Sequence, residues 1–155
     1  MPIHACVAHK IHQEAPVDKL IVNSKVVLTG LNLKSIPSAI IKNRECIETL
    51  ILDNNMLTEN SFNMPKFRNL KELAVRNNRI RNISVFMVNI QKNCPNLEVL
   101  RIRNNPDWPV RLKKEEKHRV FNFLKKLRFL DELETTRQKS YSDSSSHTSH
   151  SSESE

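Results

Sequence analysis

Apolar residues in this chain recur in one short phrase. Ile47-Glu-Thr-Leu50-Ile-Leu52-Asp-Asn-Asn55, Leu70-Lys-Glu-Leu73-Ala-Val75-Arg-Asn-Asn78 and Leu97-Glu-Val-Leu100-Arg-Ile102-Arg-Asn-Asn105 share the spacing L-x-x-L-x-L-x-x-N. Side chains alternate along a strand, so Leu50 with Leu52, Leu73 with Val75 and Leu100 with Ile102 each share one face of a short strand. Val26, Leu28, Leu31 and Leu33 repeat the apolar spacing earlier, with Leu31 where the asparagine would stand, which makes a degenerate first copy. The copies begin at Val26, Leu50, Leu73 and Leu100, separated by 24, 23 and 27 residues. Units this small cannot bury an apolar face alone and are expected to stack into one continuous core.

Between the strands the rhythm changes. Ile83, Phe86, Met87 and Ile90 follow the i, i+3, i+4, i+7 spacing of a helix with one apolar stripe. Residues 58–69 lack that period and contain Pro65, which predicts turns and short helical pieces plugged by Phe62, Met64 and Phe67. Residues 111–127 again read as helical, with Val120, Phe123, Leu124 and Leu127 inward. A half-copy, Leu124-Lys-Lys-Leu127-Arg-Phe129-Leu130-Asp131, then repeats the strand spacing and stops, as expected of a cap over the last core layer. Asn55, Asn78 and Asn105 sit where the chain leaves each strand. There their amides can pair with backbone groups that the turn would otherwise bury unsatisfied, forming an asparagine ladder.

These features predict an α/β fold: a short leucine-rich repeat solenoid with a parallel concave sheet, a helical or irregular convex side and a C-terminal helical cap. Residues 20–136 form the repeat domain, with the cap at 106–136. Residues 1–19 are an N-terminal segment, capping or disordered. Residues 137–155 hold nine serines and a single aromatic, and that composition predicts a disordered tail.

Composition narrows the function. Gly30 is the only glycine, which excludes glycine-rich phosphate-binding loops. No stretch approaches the roughly 18 apolar residues of a membrane span. Met1 to Val17 lacks the apolar core of a secretory signal, and Cys6, Cys46 and Cys94 do not form a disulfide framework, so an intracellular protein with free thiols is expected, cytoplasmic or also nuclear. His4, Cys6, His9 and His12 lack the paired spacing of a zinc site, so no metal is expected. No nucleophile and base can be placed together beside a pocket, so neither catalysis nor a cofactor is expected. Twenty-five Lys and Arg against seventeen Asp and Glu give a net charge of +8, which favours an acidic partner.

The repeats with their cap resemble the intracellular leucine-rich repeat proteins whose cap is seen in the U2 small nuclear ribonucleoprotein A-prime protein and the acidic nuclear phosphoproteins. Leu50-Ile-Leu-Asp-Asn-Asn55, Pro65 with Asn69-Leu70, Cys94-Pro-Asn-Leu97, Asn105-Pro106, Glu115-Glu116, Arg119-Val120 and Leu127-Arg-Phe-Leu-Asp131 are more closely similar to the leucine-rich melanocyte differentiation-associated family. The resemblance spans about residues 25–136 and implies a non-enzymatic adaptor. It also implies a role in pigment-cell differentiation, or in trafficking to lysosome-related organelles through a Rab-type GTPase. The cap family's Val-Thr-x-x-Glu-Arg ending is replaced here by Glu134-Thr-Thr-Arg137.

Alternation places three rows of side chains on the concave face. One reads Lys25, Thr49, Glu72, Val99 and Lys126. The next reads Val27, Ile51, Ala74, Arg101 and Arg128, and the third Thr29, Asp53, Arg76, Arg103 and Leu130. An apolar strip beside arginines has the composition of a protein interface. The expected contact residues are Ile51, Asp53, Arg76, Val99, Arg101, Arg103 and Arg128, and the expected state is a monomer that binds a protein partner, acidic or a Rab-type GTPase. The second reading is a nuclear ribonucleoprotein component. Direct nucleic-acid binding is disfavoured because these rows hold no aromatic on which a base could stack.

Overall fold

A computed structural model describes residues 21–134. The segments 1–19 and 137–155, and with them His4, Cys6, His9 and His12, lie outside the described residues. The fold is α/β. Five short strands, β1 (Lys25–Val27), β2 (Thr49–Ile51), β3 (Glu72–Ala74), β4 (Val99–Arg101) and β5 (Phe129–Leu130), form a parallel sheet in chain order. A sixth, β6 (Leu133–Glu134), pairs antiparallel with β5.

Register follows the repeated phrase. Val26, Leu50, Leu73, Leu100 and Leu130 align across the sheet and are fully buried. Leu28, Leu52, Val75 and Ile102 form a second buried row, and Ile47, Leu70, Leu97 and Leu127 a third on the approach to each strand. The carbonyl before each strand accepts two amides from the next turn: Ser24 O from Glu48 and Thr49, Glu48 O from Lys71 and Glu72, Lys71 O from Glu98 and Val99. The same step repeats because the same residue types recur at the same spacing.

The return segments vary. Helix α1 (Ser38–Lys42) buries Ile40, and a 3-10 turn at Glu59–Phe62 carries Phe62 into the core. Helix α2 (Ile83–Asn93) starts at Asn82, whose side chain accepts the Val85 N–H at 3.1 Å, and it buries Phe86, Met87 and Ile90. Phe62 and Phe86 meet edge to face with ring centroids 5.0 Å apart, an arrangement the ring quadrupoles favour. Met64 is half-buried and Phe67 fully buried on the same side.

The cap departs from the sequence expectation. Helix α3 (Lys114–Phe123) is shorter than residues 111–127, and its buried residue is Phe121; Val120 and Phe123 pack only partly. Leu124 is the C-cap, and Leu127 precedes β5 where Leu97 precedes β4. The last strand therefore lies three residues further along than the half-copy predicts, with Leu130 in the core row instead of Leu127. Chain reversal follows at Asp131, whose φ is +53°. Its Oδ1 accepts the amides of Ile102 (2.8 Å) and Arg103 (3.1 Å). In the preceding turn the Val75 amide, the counterpart of Ile102, finds the Arg101 carbonyl instead, whereas the Arg76 amide, the counterpart of Arg103, also bonds a carboxylate, that of Asp53. For Ile102 the Asp131 carboxylate thus stands in for the backbone carbonyl of a further turn.

Candidate functional site

The outward face of the sheet is built by alternation against the buried leucines. Its first row is Lys25, Thr49, Glu72, Val99 and Phe129, and its second is Val27, Ile51, Ala74 and Arg101. Lys25 is exposed, and Val27, Thr49, Ile51, Glu72, Val99, Arg101 and Phe129 are half-buried. Ala74 points outward yet is fully buried, since its methyl group is too short to reach past Ile51 and Arg101 on either side.

Two expectations about this face are corrected. Arg128 does not stand beside Arg101: its amide bonds Glu98 O, which places it one row before β5, where Nη1 lies 3.6 Å from Glu98 Oε1. Lys126 and Leu130 leave the outward rows as well; Lys126 Nζ bonds Asn96 Oδ1 at 2.6 Å, and Leu130 is core. The same shift brings Phe129 into register with Val99, so the face does hold an aromatic, with the Arg128 guanidinium 5.9 Å from the ring centroid. The cause is an ambiguity of spacing: Leu124, Leu127 and Leu130 stand three apart, and the L-x-x-L step fits either pair.

Ion pairs between adjacent turns temper the basic character of this face. Arg76 donates to Asp53 through its backbone N–H (2.7 Å), Nη2 (2.7 Å) and Nε (3.1 Å). Arg101 Nε reaches Glu72 Oε1 at 3.1 Å, and Arg103 Nη2 lies 3.5 Å from Glu132. The hydrogen bond to Asp53 pushes the Arg76 pKa further up. Asp53 is buried, so this pair belongs as much to the fold as to the surface.

Each ladder asparagine bridges two turns. Asn55 Oδ1 accepts from Leu31 and Leu33, and its amide donates to Leu28 O and Leu52 O. Asn78 joins Leu57 N–H to Leu52 O, and Asn105 joins Ile80 N–H to Val75 O. Sequence spacing did not disclose the partner of each ladder residue. Asn54, Asn77 and Asn104 all have positive φ, as does Gly30 at the same place in the first copy. Glycine and asparagine are the residues that adopt this conformation most readily. That shared position was the signal available in the sequence.

Away from the sheet face, Trp108 is 9% exposed and packs with the core beneath the cap. Cys46 is exposed; Cys94 is buried, which pushes its thiol up to about 12. Glu59 Oε2 accepts the amides of Arg81 (3.0 Å) and Asn82 (3.4 Å), and these bonds lower its pKa. Among the described residues no cluster of three or more His, Cys, Asp or Glu could hold a metal ion, and no helix is long and apolar enough to cross a membrane. No protein-family model and no curated protein matches the chain.

Proposed function

We propose that this chain is a leucine-rich repeat solenoid acting as a non-enzymatic adaptor, with a protein partner bound on the outward, concave face of its sheet. The observation that carries the reading is the set of half-buried apolar side chains on this face, Val27 and Ile51 in one row and Val99 in the other, beside the Asp53–Arg76 and Glu72–Arg101 pairs. Apolar centres rimmed by arginine and carboxylate are how protein interfaces combine burial with specificity. The contact residues are Ile51, Asp53, Arg76, Val99, Arg101 and Arg103. Arg128 contributes at the edge, beside Phe129. An adaptor of this kind works in the cytoplasm or nucleus, and its family resemblance suggests a Rab-type GTPase in organelle trafficking as the partner to test first.

The test is binding of candidate GTPases, in both nucleotide states, to the full chain and to Ile51→Asp and Val99→Asp variants. Loss of binding in both variants at unchanged melting temperature supports the face; unchanged binding refutes it. Phe129 favours the second reading, a ribonucleoprotein component, because an aromatic beside an arginine can stack a base. Salt separates the two readings: phosphate contacts weaken steeply with salt, whereas a partly apolar interface loses much less.

A further inference from the structure

The turns that follow β1, β2 and β3 stack in register. Met56 N–H bonds Leu33 O and Arg79 N–H bonds Leu57 O, each at 2.8 Å, so Lys34, Thr58 and Arg81 hold the same place in three successive turns. Thr58 is the shortest of the three and leaves a notch between two long cations. Arg79, separated from Arg81 by the buried Ile80, opens onto the same notch. These four residues, with Glu59, Asn60 and Met56, line a cavity of about 430 Å³.

Lys34, Arg79 and Arg81 are exposed, and among the described residues none of them lies within 4.0 Å of a carboxylate. Lys66 and Lys92 are exposed and unpaired as well; what distinguishes the notch is convergence, three such cations lining one cavity. Glu59 is the one carboxylate in the lining, and its Oε2 is committed to the amides of Arg81 (3.0 Å) and Asn82 (3.4 Å). Three cations against one carboxylate leave an excess of two positive charges. The apolar groove of about 490 Å³ between α2 and α3 has the opposite balance, with Arg119 against Asp107 and Glu116. Two neutral groups complete the notch. The Thr58 side chain accepts the Ser61 amide, which leaves its O–H to donate, and the exposed Asn60 brings a side-chain amide.

We propose that this notch binds the phosphate monoester group of a small molecule. Such a group carries about −1.5 to −2 charge at neutral pH, which matches the excess of two, whereas a single carboxylate would leave half of it unanswered. A guanidinium donates two parallel N–H bonds to phosphate oxygens, and two arginines flank one buried residue here. Met56 is the only apolar side chain in the lining and no aromatic joins it, so neither the side chains of a peptide nor a stacking base finds a surface to rest on. The notch lies on the turns, apart from the outward face of the sheet, and does not depend on what that face binds.

The test follows backbone amide shifts by NMR as the full chain is titrated with glycerol 3-phosphate at physiological salt, with glycerol as the uncharged control. Saturable shifts at Lys34, Thr58, Asn60, Arg79 and Arg81 are expected with the ester alone. Arg79→Gln and Arg81→Gln each weaken binding roughly tenfold at unchanged melting temperature. The double variant Lys66→Gln with Lys92→Gln, which lowers the net charge further, binds as the parent does. Glu59→Gln keeps an oxygen for the two amides while removing the opposing charge, and tightens binding roughly threefold. Phosphatidic acid vesicles carry the same monoester and phosphatidylserine vesicles do not: a preference for the former over both phosphatidylserine and the free ester places the phosphate on a lipid, and a preference for the free ester places it in solution. The proposal is overturned if no saturable shift occurs, if the shifts centre elsewhere, or if the Lys66 and Lys92 double variant loses as much affinity as the arginine variants. It is equally overturned if a phosphoserine peptide or polyuridine binds the same amides more tightly than the ester.

Discussion

Asp53 and Arg76 are joined three times: one residue supplies a backbone amide and two guanidinium donors to the carboxylate of the turn before it. The Asp53 side chain is 8% exposed and that of Arg76 42%. Removing the arginine side chain leaves a buried carboxylate with a single donor. Arg76→Ala is expected to cost about 1–3 kcal/mol in chemical unfolding, and Arg76→Lys less. A double-mutant cycle with Asp53→Asn should give a positive coupling energy; additivity would mean that the guanidinium contacts add nothing to stability.

The paired asparagines divide two tasks between adjacent residues. Asn78→Ala strands the Leu57 amide and leaves the Leu52 carbonyl with the Asn55 amide alone, with an expected loss of about 1–3 kcal/mol. Asn77 has a φ of +56° instead. There Gly should be tolerated and Val should cost about 1–3 kcal/mol. Thermal melts of the three variants check the assignment, and equal effects of Gly and Val at 77 would contradict it.

Leu130→Ala should destabilise by about 2–5 kcal/mol, as Leu73→Ala and Leu100→Ala should, since all three occupy one buried row. Arg128→Ala, at a half-exposed surface ion pair, should cost less than about 1 kcal/mol. If Leu130 proves replaceable, the register of the last strand is wrong.

The contrast between these rows shows what the sequence made legible. Leu50, Leu73 and Leu100 were readable as core because each heads an L-x-L pair and is followed by Asn-Asn, which ties the apolar step to one register. At the cap no asparagine follows, and three leucines spaced by three leave two registers open; only the end of α3 at Phe123 decides between them. Phe129 was consequently absent from the predicted face. The Asp53–Arg76 pair was hidden for another reason: its partners lie 23 residues apart in sequence and meet only when successive turns align. The groove between α2 and α3 could not be read at all, since it depends on where two helices come to rest.

Cys94 should resist thiol reagents in the folded protein. Burial leaves it 2% exposed and holds the thiol protonated, so little of the reactive thiolate is present at neutral pH. Peptide mapping after brief alkylation should find Cys46 modified and Cys94 intact until denaturant is added. Rapid native labelling of Cys94 would show that α2 opens readily.

Glu59 supplies a pH dependence with a definite sign. Its folded pKa lies below the ordinary 4.5 because the Arg81 amide, foremost among its donors, bonds the ionised form. The stabilisation is fully present above the unfolded pKa, begins to fall as pH drops below it, and is lost on passing the lowered folded value. Urea midpoints for Glu59→Gln should decline less over that acid range than those of the parent; parallel curves would exclude the contribution.

The turnback at Asp131 also restricts how such a chain can lengthen over evolutionary time. A duplicated unit inserted between β2 and β4 would meet, on both sides, strands offering the same parallel pattern of donors and acceptors. A unit appended after β6 would meet an antiparallel edge, while the amides of Ile102 and Arg103 are already taken by a side chain. At this end of the sheet a new copy is therefore accommodated by insertion before β5 rather than by addition after β6, and the acidic residue that closes the sheet is then carried along behind it.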